Sequence, residues 1–191
     1  MAKADSGTSR RERNKTVRWV VTIFITTIFV SGAISLISDA VMDNSSIAVA
    51  FLILLAIVLV GIVFDVIGVA VTSADEKPFH SMAARKVPGA REAISLLRSA
   101  GRVSSICNDV VGDICGVVSG AASATIAARL LTKFEFSWPM LVGLLMSACV
   151  SGLTVGGKAI GKTFAVNSST QIVHFTGRVI GSLRRHPSKD K

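Results

Sequence analysis

The sequence lacks most of the residues and motifs on which common enzyme chemistry depends. It has no tyrosine, only three cysteines, which all lie inside apolar segments, and no HExxH, GxSxG, Cys-x-x-Cys or Rossmann glycine fingerprint. Its three histidines, His80, His174 and His186, lie outside the apolar segments. We therefore expect no enzyme activity from this chain.

Charged residues are missing from three long stretches. These stretches run from Trp19 to Ile37, from Ile47 to Phe64 and from Phe136 to Gly157. Each reaches the length of about 20 residues that an α-helix needs to cross a hydrocarbon core. The first stretch is too long for a signal peptide and no Ala-x-Ala site follows it, so it predicts a retained anchor.

A less apolar segment from Val103 to Leu131 contains Asp109 and Asp113 and is rich in Gly, Ser and Ala. Small residues let helices approach closely, and carboxylates inside a membrane need protein or water around them. We predict that this segment is the third of four spans and faces the interior of the bundle. The predicted fold class is thus an all-α integral membrane protein, multi-pass in the cell membrane and surrounded by its lipids.

The net charge of +9 is distributed unevenly along the chain. Of the 21 Lys and Arg residues, 19 fall before the first span, between the second and third spans, or from Lys158 onward. The other two, Arg129 and Lys133, fall between the third and fourth spans. Because Lys and Arg concentrate in cytoplasmic loops, this pattern predicts that both termini are cytoplasmic, and it explains the charge without a nucleic-acid partner.

The sequence divides into a predicted three-helix transmembrane core at 46–166 and the segments that flank it. Residues 1–15 are polar and charged and are predicted to be disordered, and residues 16–38 form an extra first span. Residues 77–102 and 167–191 carry apolar residues at helical spacing opposite basic ones. This pattern predicts amphipathic helices lying at the membrane surface, with ordinary cytoplasmic helices packed on the bundle as the alternative.

Polar residues inside the spans suggest a cation site. Asp65 lies within the apolar helix of the second span, where an isolated carboxylate is costly and usually has a partner. In the third span Asp109 and Asp113 are four residues apart and share one helical face, with Asn108 beside it. Oxygen-rich clusters suit hard cations. We predict that Asp65, Asn108, Asp109 and Asp113 bind Mg²⁺, with Na⁺ as a second candidate.

Ion pairing offers a structural alternative for the two carboxylates of the third span. They could cap a helix, pair with Arg98 or Arg102 near the cytoplasmic interface, or be neutralised by Lys158. The sequence leaves this choice open.

Three glycines of the third span, Gly112, Gly116 and Gly120, recur every four residues. Such a ladder of small residues predicts close helix packing, within the bundle or between subunits. We expect it to contribute to a homodimer.

Three short segments match, in order, three sequence patterns of a known family of membrane proteins. They read FDVIGVAVTS at 64–73, ICND at 106–109 and GGKAIGKTFA at 156–165. From Gly61 to about Ile180 the chain thereby resembles the transmembrane domain of the CNNM/CorC (CorB) magnesium transporter family, where the matching patterns are F-S-x-S-E-x-A-L-x-S, I-G-N-T and F-G-E-I-x-P-K-[ST]-x-A. The third segment also matches the phosphate-loop pattern, but an apolar span precedes it instead of a strand, so we predict no nucleotide site.

The resemblance implies a dimer that holds Mg²⁺ between three helices near mid-membrane and is regulated by cytosolic CBS domains. Residue by residue, it makes Asn108 a ligand candidate, places Asp65 at a small polar position, and makes Ser73 the end of the first pattern. Gly157 and Lys162 match the remains of the closing motif.

This sequence also departs from the family pattern. Lys158 stands at the acidic position of the third pattern, Gly161 replaces its proline and Gly68 replaces another acid, while no CBS domain is expected after the core. A lysine repels a cation unless a nearby carboxylate compensates it. We predict a protein that binds or transports Mg²⁺ across the membrane. The alternative is a non-transporting scaffold or regulatory subunit, with a degenerate cation site and an unknown membrane or cytoplasmic partner.

Overall fold

The computed structural model describes residues 5–43, 45–133 and 138–185, and in these ranges it contains helices and no strand. The helices are α1 (Asp5–Asp43), α2 (Ile47–Ser73), α3 (Lys77–Ala84), α4 (Ala90–Arg98), α5 (Ala100–Ser105), a π-helix (Ile106–Gly112), α6 (Asp113–Lys133), α7 (Pro139–Asn167) and α8 (Ser169–Arg185).

Four helical segments are long and apolar enough to cross a membrane. They are Thr16–Val41, Ile47–Ser73, Ala100–Lys133 and Pro139–Asn167. The predicted all-helical class with four apolar spans is therefore confirmed. The predicted start of the fourth span, Phe136, lies outside the described residues.

The first span has the fewest contacts with the rest of the helix bundle. α1 packs against α6 and, over fewer positions, against α2, and most of its side chains from residue 16 onward are exposed. It begins at Asp5, inside the segment 1–15 for which the sequence predicts disorder. The Arg and Glu residues there have high helix propensity and continue the helix of the span without a break.

The other three spans form the core of the molecule. α2 contacts the π-helix, α6 and α7, and α6 contacts α7. The buried residues of α2 recur at intervals of three and four, which is the period of a helix with one inward face; they include Ala50, Leu54, Val58, Gly61, Asp65 and Gly68. Asp65 and the glycines on either side of it therefore point into the bundle.

Helices α3, α4 and α8 form a second cluster beside the end of α2. Its buried residues are Ala70 and Val71 of α2, together with Phe79, Ala93, Ala165 and Val173. The predicted helices within 77–102 and 167–191 are thus present, while their position at a membrane surface stays a prediction.

Close backbone contact joins α8 to α4. Gly89 has a φ of 85°, and a methyl group on Gly177 would lie 2.5 Å from the Gly89 carbonyl oxygen. The packed face of α8 is therefore made by Val173, Gly177 and Gly181, which are buried. Glycines define this face because only a hydrogen fits between the two backbones.

Candidate cation site

Asp65 lies inside the bundle, two helical turns before the end of α2. The residue is 4% exposed. Its Oδ1 lies 3.9 Å from the Lys158 Nζ, and its Oδ2 lies 4.0 Å from the Lys162 Nζ. Both lysines belong to α7, where their spacing of four residues puts them on the same side of the helix. A buried carboxylate is thus flanked by two ammonium groups.

Neither ion pair is close enough to be a hydrogen bond. Hydrogen bonds from N–H to O span about 2.7 to 3.2 Å, and both separations exceed this range. Among the residues that the structure describes, none donates a hydrogen bond to the buried Asp65 Oδ2. This oxygen retains its full capacity to accept a hydrogen bond or a cation.

Asn108 faces α2 from the π-helix. Its Nδ2 donates a hydrogen bond of 3.2 Å to the Ser104 Oγ. Its Oδ1 is buried, and the described part of the chain supplies no hydrogen-bond partner for it. We call Asp65 Oδ2 and Asn108 Oδ1 the two open acceptors, since buried oxygens of this kind are normally paired.

Glycines allow the helices to approach closely around Asn108 and Lys158. A methyl group on Gly68 would overlap the Asn108 carboxamide, and one on Gly161 would lie 2.7 Å from the Val66 Cγ2. A methyl group on Gly112 would lie 3.3 Å from the Lys158 Nζ. Gly68 and Gly161 are therefore needed at these positions, because larger residues would not fit between the helices.

The π-helix is the feature of the site that the sequence did not indicate. It runs from Ile106 to Gly112 between α5 and α6. Its hydrogen bonds span five residues instead of four, which changes the direction of the side chains that follow and is often found at functional sites. Asn108 and Asp109 both lie within it. No motif in the sequence identifies this change of helix type.

The structure separates the four predicted cation ligands into two pairs. Asp65 and Asn108 point into the bundle, whereas Asp109 and Asp113 are exposed on the outer side of the third span. The reason is geometric, since the turn that brings Asn108 against Gly68 directs the next side chain away from α2. Asp109 and Asp113 are both exposed and do not face the buried Asp65.

The predicted ion-pair partners of Asp109 and Asp113 are engaged elsewhere or lie apart. Arg98 Nε is 3.3 Å from a Glu76 carboxylate oxygen, and Lys158 pairs with Asp65. Within the described ranges, no ion pair joins either carboxylate to Arg98, Arg102 or Lys158. Lys158, a candidate partner of Asp109 and Asp113, thus pairs with Asp65 of the second span.

The remaining predicted site residues lie around this centre. Ser73 is the last residue of α2 and is exposed, while Gly157 is half-buried and packs on Ile62 of α2. Lys162 is the outer of the two lysines beside Asp65, its side chain being 56% exposed. Gly157 and Lys162 of the closing motif therefore lie in the Asp65 region, together with Lys158.

The glycine ladder divides between the inside and the outside of the bundle. Gly112 is buried against Lys158, whereas no described atom comes within 4 Å of a methyl group placed on Gly116 or Gly120. These two glycines line a shallow groove between α6 and α7, of about 170 Å³, together with Ser147 and Ser151. The homodimer stays a prediction, and this groove is the part of the ladder that a second copy would use.

The donor set available for a cation is small. Within the described part of the chain, no group of three or more His, Cys, Asp or Glu side chains comes together as a metal site would require. Asp65 contributes one negative charge and Lys158 and Lys162 two positive charges. The arrangement can hold a cation only if at least one ammonium group withdraws and water or backbone oxygens complete the coordination shell.

Comparisons of the chain with models of known protein families, with characterised proteins and with solved structures return no match. The likeness to the CNNM/CorC family therefore rests on the three short segments alone and stays a prediction.

Proposed function

We propose that this protein binds a divalent cation, Mg²⁺ in the first instance, between α2, the π-helix and α7, and permits its movement across a membrane. The two open acceptors carry the proposal. Both oxygens are buried, and Asp65 and Asn108 come from neighbouring helices of the three-span core. A buried carboxylate in an apolar helix is costly unless it has a function or a partner.

Water would complete the coordination of the cation. Mg²⁺ requires six oxygens and dehydrates reluctantly, so it is commonly held by one or two carboxylates and several waters. One carboxylate and one amide are thus a sufficient protein contribution for a partly hydrated ion. Na⁺ carries less charge and is the second candidate for the same oxygens.

The first test is isothermal titration of the detergent-purified protein with Mg²⁺, with Na⁺ for comparison. We expect saturable Mg²⁺ binding that Asp65→Asn abolishes, because the substitution removes the only buried carboxylate of the site. Asp39→Asn is the matched control, since Asp39 is an exposed residue of α1. Wild-type protein that is folded and binds no Mg²⁺ would contradict the proposal.

A double variant, Asp109→Asn with Asp113→Asn, separates two versions of this site. If the inner pair alone binds the ion, the double variant retains its affinity. If all four residues predicted from the sequence act together, for example across a dimer, binding is lost. Flux assays in liposomes then test whether the bound ion crosses the membrane.

A scaffold or regulatory subunit without transport is the second candidate function, and the two lysines beside Asp65 favour it. In that case the Lys158–Asp65 ion pair replaces the cation permanently and fixes α2 to α7. Lys158→Met would then lower the unfolding temperature while producing no dependence on Mg²⁺. The physiological role would lie in contact with another membrane or cytoplasmic protein.

A further inference from the structure

We propose that Lys158 acts as a tethered cation that occupies Asp65 when no mobile cation is bound and must be displaced for binding. This inference rests on the proposed function and identifies the residue that sets the affinity of the site. It assigns different roles to Lys158 and Lys162, although the two lie at almost the same distance from the carboxylate.

Burial distinguishes the two lysines. The side chain of Lys158 is 22% exposed, whereas that of Lys162 is 56% exposed. A half-exposed ammonium group keeps much of its hydration, and its attraction to a carboxylate is screened. A largely buried ammonium group has little water to stabilise it and depends on its counter-ion. Lys158 is therefore the stronger competitor for Asp65.

Lys158 also lies against the π-helix. Its Nζ is next to Gly112, the last residue of the π-helix that carries Asn108. A cation bound to Asp65 would thus be adjacent to this ammonium group, and like charges at such separations repel strongly inside a protein. Lys162 lies one turn further along α7, so it can withdraw while Lys158 stays in place.

The consequence is that Asp65 has a positively charged partner in both states. Without a mobile cation, Lys158 neutralises Asp65 and holds α7 against α2. When a cation binds, it replaces the ammonium group at the carboxylate. The affinity for a mobile cation is then low, since the ion has to displace Lys158 from Asp65.

The experiment measures Mg²⁺ affinity by titration in a matched pair of variants, Lys158→Met and Lys162→Met. We expect Lys158→Met to bind Mg²⁺ about tenfold more tightly or better, because a neighbouring positive charge has been removed. Lys162→Met should change the affinity by about threefold or less, as a solvent-screened charge does. Lys158→Arg preserves the charge and should remain close to the wild type.

Two controls keep failure of the inference distinct from failure of the proposed function. Asp65→Asn combined with Lys158→Met should abolish the tighter binding. If Lys158→Met binds no more tightly than a wild type whose binding depends on Asp65, the tethered-cation role is wrong and the cation site stands. If neither protein shows binding that depends on Asp65, both proposals fail. Lys158→Gln replaces Lys158→Met if the methionine variant does not fold.

Discussion

Gly68 determines how closely the second and third spans approach at the site. Its missing side chain leaves the volume into which the Asn108 carboxamide projects. The backbone of α2 is buried at this point, so neither helix can shift without affecting Asp65 one turn away. Packed interiors transmit such changes because they contain few voids.

Gly68→Ala should destabilise the protein, since the added methyl group overlaps Asn108 and forces the amide or the π-helix to move. We expect a loss of about 1 to 3 kcal/mol in unfolding free energy, as for other overpacked positions. Thermal unfolding in detergent, followed by circular dichroism, measures it. Gly143→Ala is the control, because no described atom lies within 4 Å of a methyl group there. Equal unfolding temperatures for the two variants would contradict the packing argument.

That Asp65 needs a partner could be predicted from the sequence, whereas the direction of Asp109 and Asp113 could not. Asp65 is the only charge between Ile47 and Ser73, so its need for a partner follows from hydropathy alone. The direction of Asp109 and Asp113 depends on the π-helix, which packs against Gly68 through Asn108. A regular helix, which periodicity assumes, gives no warning of this change.

Among the elements, the long apolar helices were the easiest to predict and their ends the hardest. The uncharged run of the second span ends at Phe64, and α2 continues past Asp65 to Ser73. The reason is that Asp65 has ion-pair partners on α7, and the residues after it are again mostly apolar and helix-compatible. A charge interrupts an apolar run in the sequence without interrupting the helix.

The contact between α4 and α8 is a second feature that the sequence does not predict. Val179 and Leu183 are large apolar residues of α8, but their side chains are exposed. The packed face instead contains Gly177 and Gly181, which have no side chain to contribute to an apolar stripe. Close approach of two backbones is a property of the pair of helices and cannot be read from either one.

Gly177→Val should detach α8 from α4, because the new side chain would meet the Gly89 carbonyl and Ala93. Backbone atoms cannot yield as a flexible side chain can, so we expect a loss of about 2 kcal/mol or more. Trypsin cleavage after Arg178 should become faster, which limited proteolysis in detergent detects. Gly101→Val, at an exposed glycine of α5 with open space around it, should leave the cleavage rate unchanged. Unaltered proteolysis of Gly177→Val would show that the contact contributes little.

At the scale of the whole molecule, charge and helix length together suggest an orientation. The connections α2–α3–α4–α5 and the segment after α7 carry most of the basic residues, whereas the α1–α2 connection around Ser45 has none. The structure groups α3, α4 and α8 in one cluster, so these basic segments lie at the same end of the bundle. Positively charged segments are retained in the cytoplasm during insertion.

We therefore expect Ser81 of α3 to be cytoplasmic and Ser45 to lie on the opposite side. A cysteine introduced at either position can be labelled with a membrane-impermeant maleimide in a Cys149→Ser background, which removes the exposed native thiol and keeps the buried Cys107 and Cys115. Ser45→Cys should react in intact cells, and Ser81→Cys only after permeabilisation. The inverse pattern would place the α3–α4–α8 cluster outside. The second and fourth spans would then run in the opposite direction, and Asp65 would lie nearer the outer end of the bundle than the cytoplasmic end.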